Sequence, residues 1–268
     1  MHGARPGFPA GRCELRGHRW HAAHDGGAGG SVNRMEPSEQ NQWKKAAAEA
    51  AANLVEDGMV IGLGTGSTAA FFIAALGHRL AEDGLRITGI PTSEQTAALA
   101  HNSRLPLTTF AEHAQIDLTV DGADEVEFGT LSLIKGHGGA LLREKIVAAA
   151  SKRMIVIADE TKVVSKLGSL VSVPVEVVRF GWQATGRRLT EIGGNPSLRL
   201  GPDRKPYVTD GGNYIMDCAF GPIGNPKDVA HRLDHIVGAV EHGLFLGYAA
   251  EAIVGGRDGV RTFRREPA

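Results

Sequence analysis

From Pro37 onward, short apolar runs and helix-forming stretches take turns along the chain, and this alternation restricts the fold more than any other feature. SEQNQWKKAAAEAAANLVEDG (38–58) is alanine-rich and reads as a helix stopped at Gly58. MVIGLG (59–64) reads as a buried strand, STAAFFIAALGHRLAEDG (67–84) as a helix, and LRITGI (85–90) as a strand. PTSEQTAALAHN (91–102) turns back into a helix with Ser93 placed to cap it. LPLTTF (105–110), IDLTV (116–120), LSLIK (131–135) and MIVIAD (154–159) read as further strands, with a helix over 139–152. Such alternation predicts an α/β fold: a Rossmann-like parallel sheet with helices on both faces. In these sheets ligands gather beyond the carboxyl ends of the strands. Residues just after each apolar run therefore share one edge.

Past Pro174 the texture changes to VPVEVV, a helix near WQATGRRLTEIGG, SLRL, YIMDCAF, PKDVAHRLDHI and VGAVEHGLF. Strand, helix, strand, strand, helix, strand is a split βαβ, so a smaller ferredoxin-like α+β domain is expected at 173–240. The α/β domain then comprises 37–172 and 241–268, its last part supplying strands around AIV and VRTF. Residues 1–36 show no helix or strand period and are expected to form a disordered extension; Met35 is the more natural first residue.

Net charge is −1, which gives no electrostatic case for nucleic acid or an anionic membrane, and no apolar run approaches a membrane span. Cys13 and Cys218 are the only cysteines, so a disulfide framework or a cysteine metal site is not expected. A reducing, cytoplasmic setting fits that usage.

The strand ends are chemically loaded. After MVIGLG comes Thr65-Gly66-Ser67-Thr68, where glycine-freed N–H groups and a helix start suit a phosphate monoester. The spacing is neither the dinucleotide fingerprint nor a P-loop, and a plain βα turn is the alternative. After IDLTV comes VDGADE (120–125). Asp121 and Asp124, around Gly122 and Ala123, can cap a turn, hold a cation or bind sugar hydroxyls. Lys135 ends LSLIK and precedes Gly136-His137-Gly138-Gly139, and Glu144 follows about a turn into the next helix. A shielded carboxylate there can serve as a general base with Lys135 stabilising an oxyanion; a solvated Arg143-Glu144-Lys145 face is the alternative. Lys162 follows MIVIAD.

GLGTGSTAA, PTSEQT, VDGADE, KGHGGALLREK and IADETK, in this order, resemble the type A ribose-5-phosphate isomerase family from about Lys44 to Phe263. The resemblance implies an aldose–ketose isomerase of the pentose phosphate pathway that interconverts D-ribose 5-phosphate and D-ribulose 5-phosphate through a cis-enediolate. It implies no cofactor and no metal. It makes Glu144 the base, Asp121 and Asp124 the sugar-hydroxyl and ring-opening pair, and Lys135 the neighbour of the reacting oxygens. Thr65, Gly66, Ser67, Thr68, Lys162 and Lys44 fall at the phosphate, and Gly122, Ala123, Gly136, His137 and Gly138 complete the binding turns. His137 stands where relatives usually carry Gly or Arg. A homodimer or homotetramer is implied as well. The alternative is a phosphosugar-binding regulator, or another phosphosugar enzyme, on the same scaffold.

Overall fold

In the computed structural model, which describes residues 37–265, one six-stranded sheet forms the spine and two four-stranded sheets flank it. The described residues all fall within one compact unit. The extension expected over 1–36, and Cys13 with it, lies outside the described residues.

The first half alternates as expected: α1 (Pro37–Ala52), β1 (Val60–Leu63), α2 (Ser67–Glu82), β2 (Thr88–Pro91), α3 (Glu94–Asn102), β3 (Leu118–Gly122). Next come β4 (Glu125–Glu127), β5 (Leu133–Ile134), α4 (Leu141–Ala149), β6 (Met154–Asp159) and β7 (Val163–Val164). The second half contains β8 (Val173–Val177), α5 (Trp182–Glu191), β9 (Asn195–Leu198), β10 (Tyr214–Ala219), α6 (Pro226–Asp234) and β11 (Ala239–His242). Strands β12 (Leu244–Phe245), β13 (Ala249–Gly256) and β14 (Gly259–Arg264) close the chain.

The main sheet runs β14-β13-β6-β3-β1-β2, parallel except for β14, which returns antiparallel beside β13. Strand β6 shows why both faces are covered. Ile155 and Ile157 enter a core built on α1 and α2, whereas Met154, Val156 and Ala158 enter a second core with Ala148 of α4. Helix α1 reaches the sheet through Ala47, Ala48, Ala51 and Ala52, whose small side chains favour the helix and permit close packing. The same alternation fixes β3: Leu118 and Val120 join the first core, so Thr119 and Asp121 lie on the α4 face.

Strands β11-β8-β10-β9 form an antiparallel sheet with α5 and α6 between them in sequence, the ferredoxin-like order expected. Val173, Val175, Val177, Met216 and Cys218 pack into one core with Leu189 and Leu233. Glu176 and Asp217 therefore occupy the helix-free face.

Three sequence expectations need correction. LPLTTF is not a strand; Leu107 makes only an isolated bridge to Gly89, because Pro106 offers no N–H to continue a ladder. LSLIK contributes only Leu133–Ile134, and this strand lies outside the main sheet, in the order β12-β5-β4-β7. Helix α1 ends at Ala52 rather than running to Gly58; Arg79 donates to the carbonyl oxygens of Ala52 and Val55, which satisfies the released groups. Among the described residues no helix is long and apolar enough to cross a membrane.

Candidate active site

The glycine turns shape the site before any charge is considered. A side chain at Gly64 would place its Cβ 2.2 Å from Asp121 Oδ1, so glycine is what lets that carboxylate approach β1. Gly66 has φ 108° and precedes α2, whose N-terminus no side chain caps. The helix thus presents its positive end to the cleft. Gly136 and Gly139 hold φ 107° and 85°, which makes the turn between β5 and α4.

Asp121 is fully buried. Its Oδ1 accepts the N–H groups of Thr65 (3.0 Å) and Gly122 (2.7 Å), and its Oδ2 lies 2.9 Å from Lys135 Nζ. The same ammonium lies 3.2 Å from Glu144 Oε1 and donates to the Gly122 carbonyl at 2.7 Å. Glu144 Oε2 has no hydrogen-bond partner among the described residues. Two carboxylates therefore share one buried cation, a local charge imbalance that ionisation of both acids makes costly. Burial pushes Glu144 up to about 8, with repulsion from Asp121 adding to it against the pull of Lys135. Burial also raises Asp121 against the pull of Lys135 and its two N–H donors. Burial alone would lower Lys135, but attraction to Asp121 and Glu144 outweighs it and holds the ammonium charged.

A cleft of about 120 Å³ opens over this triad. Lys44, Thr65, Gly66, Ser67, Thr68, Gly122, Ala123, Asp124, Lys135, Gly136, Gly138, Glu144 and Lys162 line it. The strand-end reading thus gathers its residues around one cleft, apart from Asp121, which sits beneath the floor, and His137. The backbone N–H of His137 donates to Asp124 Oδ2 (3.0 Å), while its ring meets the Ser172 carbonyl (3.0 Å). At the far end, Lys44 Nζ lies 3.2 Å from Ser67 Oγ. The Thr65 hydroxyl turns away into a buried cluster with Thr92, Ser93 and Thr96 (2.7–3.0 Å), so Thr65 offers the cleft its backbone and methyl. Ser93 caps α3 as expected, accepting from the Thr96 N–H. A wider groove of about 720 Å³ between α5 and α6 is lined by no buried ionisable side chain, so the smaller cleft is the better seat for chemistry.

The solvated-face alternative for 143–145 fails. Glu144 and Lys145 are both buried, and only Arg143 reaches outward, to Glu94 (2.8 Å) and Asp210 (3.6 Å). Lys145 points the other way, to Glu241 Oε1 (2.6 Å) and the His242 carbonyl (2.6 Å). Asp234, Glu241 and His242 cluster closely enough to hold an ion, but the Lys145 ammonium already pairs with Glu241, and His242 Nε2 meets Asp234 at 3.1 Å. Burial, then repulsion from Lys145, lowers His242 to about 4 and keeps it neutral.

Glu125, the third acid of VDGADE, had no role in the sequence reading. Its buried carboxylate accepts the N–H groups of Gly168, Leu170 and Val171, tying down the loop before β8. Of the three acids of VDGADE, that leaves Asp124 lining the cleft and Asp121 beneath its floor. Arg199, which grips the carbonyls of Gly136 and His137, was also missed. Nothing in local sequence marks a contact made across more than sixty residues, though an arginine flanking a half-buried strand was a usable signal.

The family profile described as ribose 5-phosphate isomerase A (phosphoriboisomerase A) matches residues 88–259. The chain belongs to this family. A ribose-5-phosphate isomerase A from Synechococcus sp. (strain JA-3-3Ab) is 52% identical over 225 residues, covering 84% of this chain and 98% of the relative. One from Gloeobacter violaceus is 55% identical over 219 residues, covering 82% and 94%. Among solved structures, ribose 5-phosphate isomerase A from Methanocaldococcus jannaschii is similar at TM-score 0.80 and 44% identity, covering 83% of this chain and 98% of that one. A D-ribose-5-phosphate isomerase in complex with phospho-erythronic acid reaches TM-score 0.82 at 41% identity, covering 86% and 100%.

Proposed function

We propose that this chain interconverts D-ribose 5-phosphate and D-ribulose 5-phosphate, an aldose–ketose isomerisation, with Glu144 moving the proton. The observation that carries the reading is the buried triad. Lys135 Nζ stands 2.9 Å from Asp121 and 3.2 Å from Glu144, at the floor of a cleft whose other end has a helix N-terminus, Ser67 and Lys44. The phosphate rests on the 65–68 turn, between Lys44 and Lys162. Binding there anchors the substrate far from the reacting carbons.

Asp124 lines the cleft and is only half-buried, so it contacts the sugar hydroxyls and assists ring opening. Asp121 is engaged on both oxygens, so its part is to hold Lys135 and to raise Glu144. The open aldehyde makes the C2 hydrogen acidic. Glu144 takes that proton, giving a cis-enediolate; the O2 hydroxyl proton passes to O1, and Glu144 returns the carbon-bound proton to C1, leaving the carbonyl at C2. A base held near the working pH balances its ionised fraction against its strength. Lys135 stabilises the enediolate oxygens, a contribution of about 3–4 kcal/mol for one well-placed donor. Phospho-erythronic acid, bound by a relative, joins a phosphate to a planar carboxylate, which imitates such an intermediate. We also take 37–172 with 241–268 as one domain and 173–240 as the other, a division supported by the strand membership of the main and ferredoxin-like sheets except at 241–242, where β11 still pairs with β8.

The test is turnover of ribose 5-phosphate in chelator by wild type and Glu144→Gln. Wild type should be active, and the variant should fold yet lose about 10²–10⁴-fold in kcat, the usual value of a general base. Substantial activity in the folded variant would remove Glu144 from this role.

A further inference from the structure

The helix-free face of the ferredoxin-like sheet meets the glycine turn of the site through a single guanidinium. Arg199 follows β9, and its Nη1 donates to the carbonyl oxygens of both Gly136 (2.8 Å) and His137 (3.1 Å). Asp217 of β10 holds the other side of the fork: Arg199 Nε donates to Asp217 Oδ2 at 2.9 Å, and Nη2 pairs with Oδ1. Both side chains are mostly buried, at 13% and 20% exposure, so the pair is dry enough to be rigid.

The consequence lies on the opposite edges of the two peptide planes. In a trans peptide the N–H points away from its carbonyl. With the Gly136 carbonyl held by Arg199, the His137 N–H is aimed at Asp124 Oδ2, which it meets at 3.0 Å. With the His137 carbonyl held, the Gly138 N–H is turned away from Arg199, and Gly138 lines the cleft. The Gly136 carbonyl also accepts the Gly139 N–H within the turn (3.0 Å), whereas among the described residues the His137 carbonyl is held from the small sheet, so one arginine reinforces the first N–H direction and sets the second. Tyr207 closes the same corner. A Cβ at Gly139 would come 2.2 Å from its hydroxyl, so the turn has little room to relax.

We propose that Arg199, clamped by Asp217, is a positioning residue for the isomerase site. It orients the 136–138 peptides, and through the His137 N–H it fixes the carboxylate of Asp124. This inference rests on the isomerase reading above. It assigns to the small sheet a part in turnover rather than in stability alone.

The test compares Arg199→Ala, Arg199→Lys and the double variant Arg199→Ala/Asp217→Ala, which leaves no unpaired aspartate, by melting and by kcat and KM on ribose 5-phosphate well below each melting temperature. The alanine variants should lose about 30–100-fold in kcat, as for a misplacement near 1 Å, with KM changed less than about threefold because the phosphate end is untouched. Lysine should recover part of kcat, since it keeps the charge but not the fork. Adding Arg199→Ala to Asp124→Ala should cost little more than Asp124→Ala alone, because the clamp acts through that carboxylate. A folded Arg199→Ala with full kcat, or losses that simply multiply with Asp124→Ala, would overturn the proposal. An inactive wild type would overturn the isomerase reading and the clamp's catalytic part with it; an active wild type with indifferent Arg199 variants overturns the clamp alone.

Discussion

Lys135 and Lys145 are both buried, and both lie over the ring of Phe245, at 5.6 and 4.9 Å from its centroid. Their surroundings differ in one respect. Lys135 is shared by two carboxylates beside a cleft, and two buried oxygens accept no hydrogen bond among the described residues: Asp121 Oδ2, which has only its ion pair with Lys135, and Glu144 Oε2. Lys145 meets a single carboxylate, Glu241, and a carbonyl, and its neighbour His242 is satisfied by Asp234 and the Leu244 N–H. The first cluster holds a proton whose position is undecided. The second is settled, and burial lowers Lys145 while the paired acids raise Lys135. A fully buried charge network next to a cleft, with more acid than base, is arranged for proton transfer; a network away from it, whose second acid Asp234 is open to solvent, is a tie between elements. Here that tie joins α4, the helix carrying Glu144, to β11.

The comparison breaks most readily at Lys135 itself. Lys135→Met should cost about 10²–10³-fold in kcat through loss of the oxyanion donor. Steady-state assays check this, and a folded variant within tenfold of wild type would place the donor elsewhere. Lys145→Met should do the reverse. About 2 kcal/mol of stability should be lost in urea unfolding, since a half-buried Glu241 loses its partner, while kcat stays within a few-fold. A loss of kcat as large as that for Lys135→Met would erase the distinction between the clusters.

The smallest effect is a matter of pH. The folded-state value of Glu144, about 8, lies above its ordinary 4.5, so the protonated acid stabilises the fold. That stability is complete below about pH 4.5 and is lost as pH rises through 8. Glu144→Gln keeps a neutral group at every pH. Its melting temperature should match wild type near pH 4.5 and exceed it by about 3 °C or more at pH 8–9. Calorimetry at the two pH values decides; a constant difference would mean that Glu144 is not held protonated by its surroundings.

Much of this was legible in the chain because the main sheet obeys a simple rule. Each βα unit brings its turn to one edge, and GTGST, VDGADE and IADETK announce themselves there. KGHGG reached the same cleft for another reason. Its strand, only Leu133–Ile134, belongs to a separate mixed sheet, and β4 and β7 are too short to leave a period. VPVEVV was legible as a strand, but nothing in it shows what Glu176, on the face opposite Val173, Val175 and Val177, meets: Thr209 and Asn213, on a long loop. The partners of Lys145 and the two carbonyls under Arg199 were hidden likewise, because they are set by how the two sheets meet.

The pH dependence of kcat/KM on ribose 5-phosphate probes the shared proton most directly, since it reports the free enzyme's essential base. In wild type the acid limb should have an apparent midpoint near 8. In Asp121→Asn, where Lys135 has one carboxylate fewer to serve and the repulsion on Glu144 is gone, the limb should move down. A wild-type limb in the ordinary carboxylate range, or one that Asp121→Asn leaves in place, would contradict a base tuned by this triad.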